Sequence, residues 1–399
     1  MSNQRLELAA VVREHKEALL EKWGQRVGTE QRQALRDIGA CRTAALGGHL
    51  ESCSSCTHRS IQFNSCRNRH CPKCQSTARD RWLSARAEEL LPVAYCHIVF
   101  TVVGQLHPVA LANQRVFYRL LFRAAAETLL EVAANPRLLG ARIGLLAVLH
   151  TWNQTLGYHP HIHCLAPAGG LSSDGKSWMR SPKKFFLPVA VLRVKFRGKL
   201  LALLKQAFAQ GELRFPGRLG ELADPTHFAT FLAELRRIDW VVWVNKPLRR
   251  PEHVLKYLAR YTYRSAISNG RLVSSQNDHV HFRCRDSRQG NRRKVVALDA
   301  VEFLRRFLLH VLPKGFIRIR YFGLLAHRNR SAALTLSRQL LAAASTPDPT
   351  LLSDEQQRAV ERRCPRCHSG WLRIVQWFSA AELLIRQLDL PAFAPFDSS

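Results

Sequence analysis

The sequence predicts an α+β protein: an antiparallel sheet flanked by helices, preceded by a helical arm and a zinc ribbon, and followed by a mostly helical, basic carboxy-terminal region. Three observations carry this expectation. Runs rich in β-branched and aromatic residues, at Tyr95 to Val103, Leu145 to Trp152 and Trp240 to Val244, have the composition of strands. Longer stretches with apolar residues at helical intervals lie between them, so helices and strands are mixed along the chain. Two Cys-x-x-Cys pairs, Cys53/Cys56 and Cys71/Cys74, are separated by 14 residues, the spacing of a four-cysteine zinc ribbon.

The arm comes first, over residues 1–40. Leu6, Leu8, Val11, Val12, Leu19, Leu20 and Trp23 recur at near-helical intervals, and Val27-Gly28 divides the pattern into two helices. Residues 41–91 are expected to form a zinc-binding, DNA-recognising module. Its first-choice ligands are Cys53, Cys56, Cys71 and Cys74; Cys41, Cys66, His49, His58 and His70 remain for a second site or as alternative ligands. Arg59, Arg67, Arg69 and Lys73 suit either phosphate contacts or a solvated face. A helix over 76–91, burying Trp82, Leu83, Leu90 and Leu91, closes the module.

The core is expected over 92–290. After the strand at Tyr95, a long helical pattern covers Pro108 to Asn135, and Leu145 to Trp152 forms a second strand. The segment Tyr158-His-Pro-His-Ile-His163 reads as the next strand, with Pro160 tolerated near its start. Side chains alternate along a strand, so His161 and His163 share a face that can hold one divalent cation, while Ile162 enters the core. His97 reads as a sheet-lining or core histidine. Gly169 to Gly175 suits a hairpin turn, helices follow to about Leu235, and Trp240 to Val244 forms a strand. A helix from about Glu252 then carries Tyr257 and Tyr261 on one face, with Arg264 one turn later and Lys256 and Arg260 on an adjacent stripe. Paired phenols flanked by cations, beside a histidine pair, suit attack on phosphodiesters. The triplet His279-Val-His281 repeats the histidine pattern but reads as an exposed hairpin.

Residues 291–399 are basic. Phe316, Tyr321 and Phe322, interleaved with arginines, suit either base stacking or a core. A linker at 345–354 precedes Cys364-Pro-Arg-Cys367, half a zinc site unless a partner folds back onto it, and the Pro-rich tail from Pro391 reads as disordered.

Of 399 residues, 60 are Lys or Arg and 30 Asp or Glu, a net charge of +30 spread over the whole chain. That balance favours a nucleic-acid partner over a broad surface. No run of about 18 apolar residues that would span a membrane occurs. Residues 1–30 carry charges throughout rather than an apolar leader, so a cytoplasmic protein is expected. Eight of the 11 cysteines fall in tight groups, which in a cytosolic protein points to metal rather than to disulfides.

With these pieces in place the sequence resembles the two-tyrosine HUH transposases of the IS-ninety-one (IS91) family of rolling-circle insertion sequences. The resemblance spans most of the chain. It rests on Ser65-Cys-Arg-Asn-Arg-His-Cys-Pro-Lys-Cys74, His159-Pro-His-Ile-His163, Lys256-Tyr-Leu-Ala-Arg-Tyr261 and Phe307-Leu-Leu-His-Val-Leu-Pro-Lys-Gly-Phe-Ile-Arg-Ile-Arg320. It implies an HUH endonuclease core that cleaves and rejoins single-stranded DNA through 5′-phosphotyrosine intermediates. His161 and His163 become ligands of Mg²⁺ or Mn²⁺, and Tyr257 and Tyr261 the nucleophiles. The resemblance implies a third ligand, for which Gln154 is the first candidate and His150 the alternative. The zinc module and basic carboxy-terminal region would hold transposon ends and target DNA, with host replication machinery as a further partner. Tyr263 departs from the family, where another residue, often histidine, is expected. A relaxase or replication initiator with the same core chemistry, a water-using metal nuclease and a non-catalytic zinc-ribbon DNA-binding protein are the competing readings.

Overall fold

A computed structural model describes residues 5–181, 186–245, 247–248, 254, 266–286, 290, 292–343 and 362–387. Tyr257, Tyr261, Tyr263, Lys256, Arg260 and Arg264 lie outside them, as do the 345–354 linker and the tail. The chain forms two compact units, one of residues 1–78, 264–311 and 349–399, the other of residues 79–263 and 312–348.

The first unit opens with α1 (Leu8–Trp23) and α2 (Thr29–Ala40), separated at Gly28 as the sequence pattern requires. Gln31 accepts from the Gly28 N–H at 2.9 Å through its side chain, which satisfies one of the orphan donors of the new helix. Strands β1 (Gly48–Cys53) and β2 (Arg59–Phe63) form a hairpin, and α3 (Pro72–Ala87) begins directly after Cys71. The third strand of that sheet comes from the far end of the chain. β13 (Leu372–Phe378) pairs antiparallel with β1, giving the order β13-β1-β2. Phe378 and Leu383, the latter in α10 (Ala380–Gln387), bury against Ala44 with Leu50, Ile61 and Phe63 packed around them.

Residues 264–311 also belong to this unit, so the core boundary expected at 290 differs from the structure. Strands β9 (Leu272–Gln276), β10 (His279–Asp286) and β11 (Arg292–Asp299) form an antiparallel sheet followed by α8 (Ala300–Leu308). Asn277 and Asp278 both have positive φ, 49° and 56°, the geometry of a two-residue hairpin turn that matches strand twist. The arm holds this segment: the Leu8 N–H donates to Asn269 Oδ1 at 3.1 Å, and Gln31 donates to the Leu308 carbonyl at 2.8 Å. His279 is exposed, and neither it nor His281 joins a metal-ligand cluster among the described residues.

The second unit is built on a five-stranded antiparallel sheet, ordered β12-β4-β5-β3-β8. Its strands are β3 (Tyr95–Thr101), β4 (Gly144–Trp152), β5 (Tyr158–Pro167), β8 (Val242–Val244) and β12 (Ile319–Gly323). The histidine strand β5 is therefore central. One face of the sheet presents Ile98, Phe100, Leu145, Ala147, Leu149, Ile162 and Cys164 to the main core. Helices α5 (Gln114–Ala134) and α6 (Val189–Ala209) cover it through Phe117, Leu121, Phe122, Phe196 and Leu200. The long helical pattern expected from Pro108 is interrupted at Asn113, which ends α4 (His107–Ala112). Its side chain bridges to Arg214, accepting from the N–H at 2.7 Å and donating to the carbonyl at 2.9 Å.

Two further helices, α7 (Pro225–Arg237) and α9 (Arg330–Ala343), and a short β6–β7 hairpin (Gly169–Leu171 with Trp178–Arg180) complete the unit. Phe316 is core, and Arg320 stacks over Phe122 and Phe316 at 4.5 and 5.1 Å. No helix among the described residues is long and apolar enough to cross a membrane.

Candidate metal centres

The second unit carries a histidine centre on the sheet face opposite the main core. Register fixes it. His150 of β4 stands opposite His161 of β5, and Val148 opposite His163, so side chains 150, 161 and 163 point the same way. The β4–β5 register shifts between His150 and Trp152, alongside Pro160, which has no N–H to give a ladder. The Asn153 side chain closes the connecting turn by accepting from the N–H groups of Thr155 and Gly157 at 3.0 and 2.7 Å.

Candidate ligand nitrogens of His150, His161 and His163 all lie within 4.8 Å of one another, close enough to converge on one cation. Ring centroids are 4.4 Å apart for His150 and His163, and 4.8 Å for His161 and His163. Gln154, the first candidate for third donor, is exposed in the turn, and His150, the alternative, stands opposite His161 with its ring nitrogen among those of His161 and His163.

The rings are held by their other nitrogens. His161 Nδ1 lies 2.6 Å from the His159 carbonyl oxygen, so it carries a proton and leaves Nε2 for a cation. His163 Nδ1 lies 2.8 Å from Nε2 of His97, a neighbour on β3. A cation on Nε2 of His163 requires the proton on Nδ1, so His97 Nε2 accepts. His97 is 2% exposed, and sequence reasoning placed it on the sheet without giving it this role. Its only sequence signal was position on a neighbouring strand. Burial, with His161 nearby, pushes the His97 pKa down to about 3. Burial likewise lowers His161 to about 4, against its bond to the His159 carbonyl. Both rings are therefore neutral at physiological pH, the state that ligates or accepts.

Two cysteine clusters lie in the first unit. Cys41, Cys66, Cys71 and Cys74 form one, and Cys53, Cys56, Cys364 and Cys367 the other. The four first-choice zinc ligands are thus divided: Cys71 and Cys74 meet Cys41 and Cys66, while Cys53 and Cys56 meet the carboxy-terminal pair. His70 is buried beside the first cluster but is not one of its four ligands. The reason is topological. β1 pairs with β13, with Cys53 opposite Leu372, which brings Cys53 and Cys56 to the segment that precedes β13.

In the first cluster the sulfurs are 3.5 to 3.7 Å apart, as Cys66–Cys74, Cys71–Cys41 and Cys41–Cys74. Four sulfurs at about 2.3 Å from a tetrahedral zinc would stand roughly 3.8 Å apart. Hydrogen bonds from Cys41, Cys66 and Cys71 pull the Cys74 thiol far below its ordinary range, and Cys74 also lies in the first turn of α3. The α3 amino terminus adds a favourable dipole for thiolate.

Comparisons with known proteins find two family models along the chain. Residues 11–102 match a family described as a transposase zinc-binding domain, and residues 144–332, which hold the three histidines, match one described as "putative transposase". The chain is 48% identical over 360 residues to the "putative transposase y4qJ" of Sinorhizobium fredii, covering 88% of this chain and 90% of that one. It is 29% identical over 361 residues to the transposase for insertion sequence element IS801 of Pseudomonas savastanoi pv. phaseolicola, covering 89% and 85% respectively. No solved structure matches. A zinc-binding transposase domain, a transposase core and near full-length similarity to two transposases leave one conclusion: the chain belongs to the IS91 family of transposases.

Proposed function

We propose that this transposase cuts and rejoins single-stranded DNA through tyrosine–phosphate intermediates, with Tyr257 and Tyr261 as nucleophiles beside a divalent cation held by His150, His161 and His163. The observation that carries the reading is the position of Val254. It is fully buried against Tyr95, Leu146, Val148 and Leu165, on the same sheet face as the three histidines. Positions three and seven beyond it share its stripe in a helix, and those positions are Tyr257 and Tyr261. On the helix that the sequence predicts from about Glu252, this stripe is the one we assign to the histidine face.

A cation bound there would polarise the phosphoryl oxygens of the scissile phosphate. Three imidazole ligands suit Mn²⁺ better than Mg²⁺, which prefers oxygen ligands. The tyrosine oxygen gives up its proton and attacks phosphorus in line. The bond to the 3′ oxygen breaks, that oxygen leaves as a 3′-OH, and the 5′ phosphate stays on the enzyme. A phenol with a pKa near about 10 is mostly protonated at neutral pH, so Lys256, Arg260 and Arg264 are assigned to favour the phenolate. Two nucleophiles allow a second strand to be engaged while the first remains attached. That is the requirement for rolling-circle movement from transposon ends to target DNA, with the 3′-OH free to prime host replication.

Covalent capture tests the proposal. Labelled single-stranded oligonucleotides bearing the element's own ends are incubated with Mn²⁺ or with EDTA. Wild type is compared with Tyr257→Phe, Tyr261→Phe, His161→Ala and His150→Ala. The expected result is a denaturation-resistant, Mn²⁺-dependent adduct, lost in both histidine variants and in one or both tyrosine variants. Cleavage without an adduct would make water the nucleophile; DNA binding without cleavage would leave a non-catalytic binding protein.

A further inference from the structure

The zinc-binding family match ends at residue 102 and the transposase match at residue 332, so Cys364 and Cys367 lie outside both. In the structure they meet Cys53 and Cys56, more than 300 residues away in sequence but within the same compact unit. Cys53 Sγ is 3.6 Å from Cys367 Sγ, and Cys56 Sγ is 3.7 Å from Cys364 Sγ. A disulfide would need about 2.05 Å, whereas sulfurs around a tetrahedral zinc stand roughly 3.8 Å apart.

The backbone around the sulfurs is arranged for thiolates. The N–H of Ser55 donates to Cys53 Sγ at 3.3 Å, that of Arg366 to Cys364 Sγ at 3.4 Å, and that of Gly370 to Cys367 Sγ at 3.3 Å. Each Cys-x-x-Cys turn thus aims N–H groups at its own sulfurs, as a metal knuckle does. Gly370 is required by the packing: a Cβ there would stand 2.4 Å from Cys53 Sγ and 2.9 Å from Ser55 Cβ. The two turns are also joined by backbone. Ser54 N–H donates to the Trp371 carbonyl at 3.0 Å, and Trp371 N–H to Ser54 Oγ at 3.0 Å. Four thiolates gathered around such donors would carry negative charge that a cation at their centre would offset.

We propose that Cys53, Cys56, Cys364 and Cys367 form a second structural zinc site, which clasps the carboxy-terminal strand β13 onto the cysteine-rich module. The donor set is all thiolate, the set that selects zinc over Mg²⁺ or Mn²⁺. The site makes β13 the metal-locked third strand of the β13-β1-β2 sheet. The ribbon is completed only after the rest of the chain has been made.

Two readouts on the full-length protein test this. Zinc content is measured after dialysis against metal-free buffer, for wild type, for Cys364→Ser/Cys367→Ser and for Cys71→Ser/Cys74→Ser. Each double variant is expected to lose one zinc per chain relative to wild type, and the combined variant two. Maleimide labelling of native wild type, read by mass spectrometry, should find Cys53, Cys56, Cys364 and Cys367 protected together and released together by a chelator. The labelling decides the question even where a variant misfolds. Unchanged zinc in Cys364→Ser/Cys367→Ser, free labelling of Cys364 and Cys367 in zinc-loaded wild type, or a disulfide among the four would overturn the proposal.

Discussion

Replacing His97 isolates the contribution of a residue that meets the candidate metal centre through the ring of His163. His97 Nε2 lies 2.8 Å from His163 Nδ1, with the two rings nearly parallel at 7° and 5.1 Å between centroids. His97→Phe keeps an aromatic ring against Trp243, now 5.4 Å away, but removes the acceptor for the His163 proton. Loss of a residue that orients a ligating histidine typically lowers metal affinity about 10- to 100-fold, or roughly 1.4–2.8 kcal/mol. The assay is adduct formation against Mn²⁺ concentration. The midpoint should rise by about 10- to 100-fold while the rate at saturating Mn²⁺ stays close to wild type. His97→Gln, which can place an amide oxygen near the former Nε2, should recover part of the shift. An unchanged midpoint in His97→Phe would refute the orienting role. A collapse of the saturating rate would show that His97 does more than hold His163.

Three other outcomes follow from particular contacts. Val254→Asp buries an unpaired carboxylate among Tyr95, Leu146, Val148 and Leu165, a cost of several kcal/mol, so adduct formation should fall at least about tenfold. Mn²⁺ binding, measured by calorimetry, should survive it; loss of both would mean the sheet itself had failed. Gly370→Ala should release one zinc per chain, whereas Gly270→Ala, with no atom within 4 Å of its added Cβ, should release none. The pH dependence has a definite sign: His97 and His161 sit at about 3 and about 4 when folded, below the ordinary 6.5. Unfolding lets them take up protons, so their contribution is complete above about pH 6.5 and shrinks as pH falls toward 4. Melting in manganese-free buffer should show that loss, and it should be smaller in His97→Gln; an equal loss would assign it to other groups.

What the sequence made legible was whatever depends on neighbours along the chain. Alternation on a strand is local, so His161 and His163 could be placed on one face from the triplet alone, and the central strand bears this out. The third histidine depends on which residue of β4 stands opposite His161. That register is set by the Asn153 turn and the irregularity at Pro160, and neither is encoded by spacing. The cysteines show the same limit. The template of two consecutive Cys-x-x-Cys pairs joins Cys53 and Cys56 to Cys71 and Cys74, but β1 pairs with β13 and carries them to Cys364 and Cys367. One signal was available: eight clustered cysteines make two complete tetrahedral sets, so the isolated carboxy-terminal pair needed partners. The boundary expected at 290 failed for a similar reason. The segment after the tyrosines is held by α1 and α2 through bonds spanning more than 250 residues.

The two faces of the five-stranded sheet divide the work of placing the histidines. Beneath β5 lies the main core, where Ile162 and Cys164 are fully buried under α5 and α6, so the strand bearing His161 and His163 is held from that side. On the other face, among the described residues, Tyr95, Leu146, Val148, Leu165 and Val254 are buried. A cation bound by His150, His161 and His163 would therefore meet ligands whose positions are set by packing it does not touch, so little reorganisation would accompany its binding.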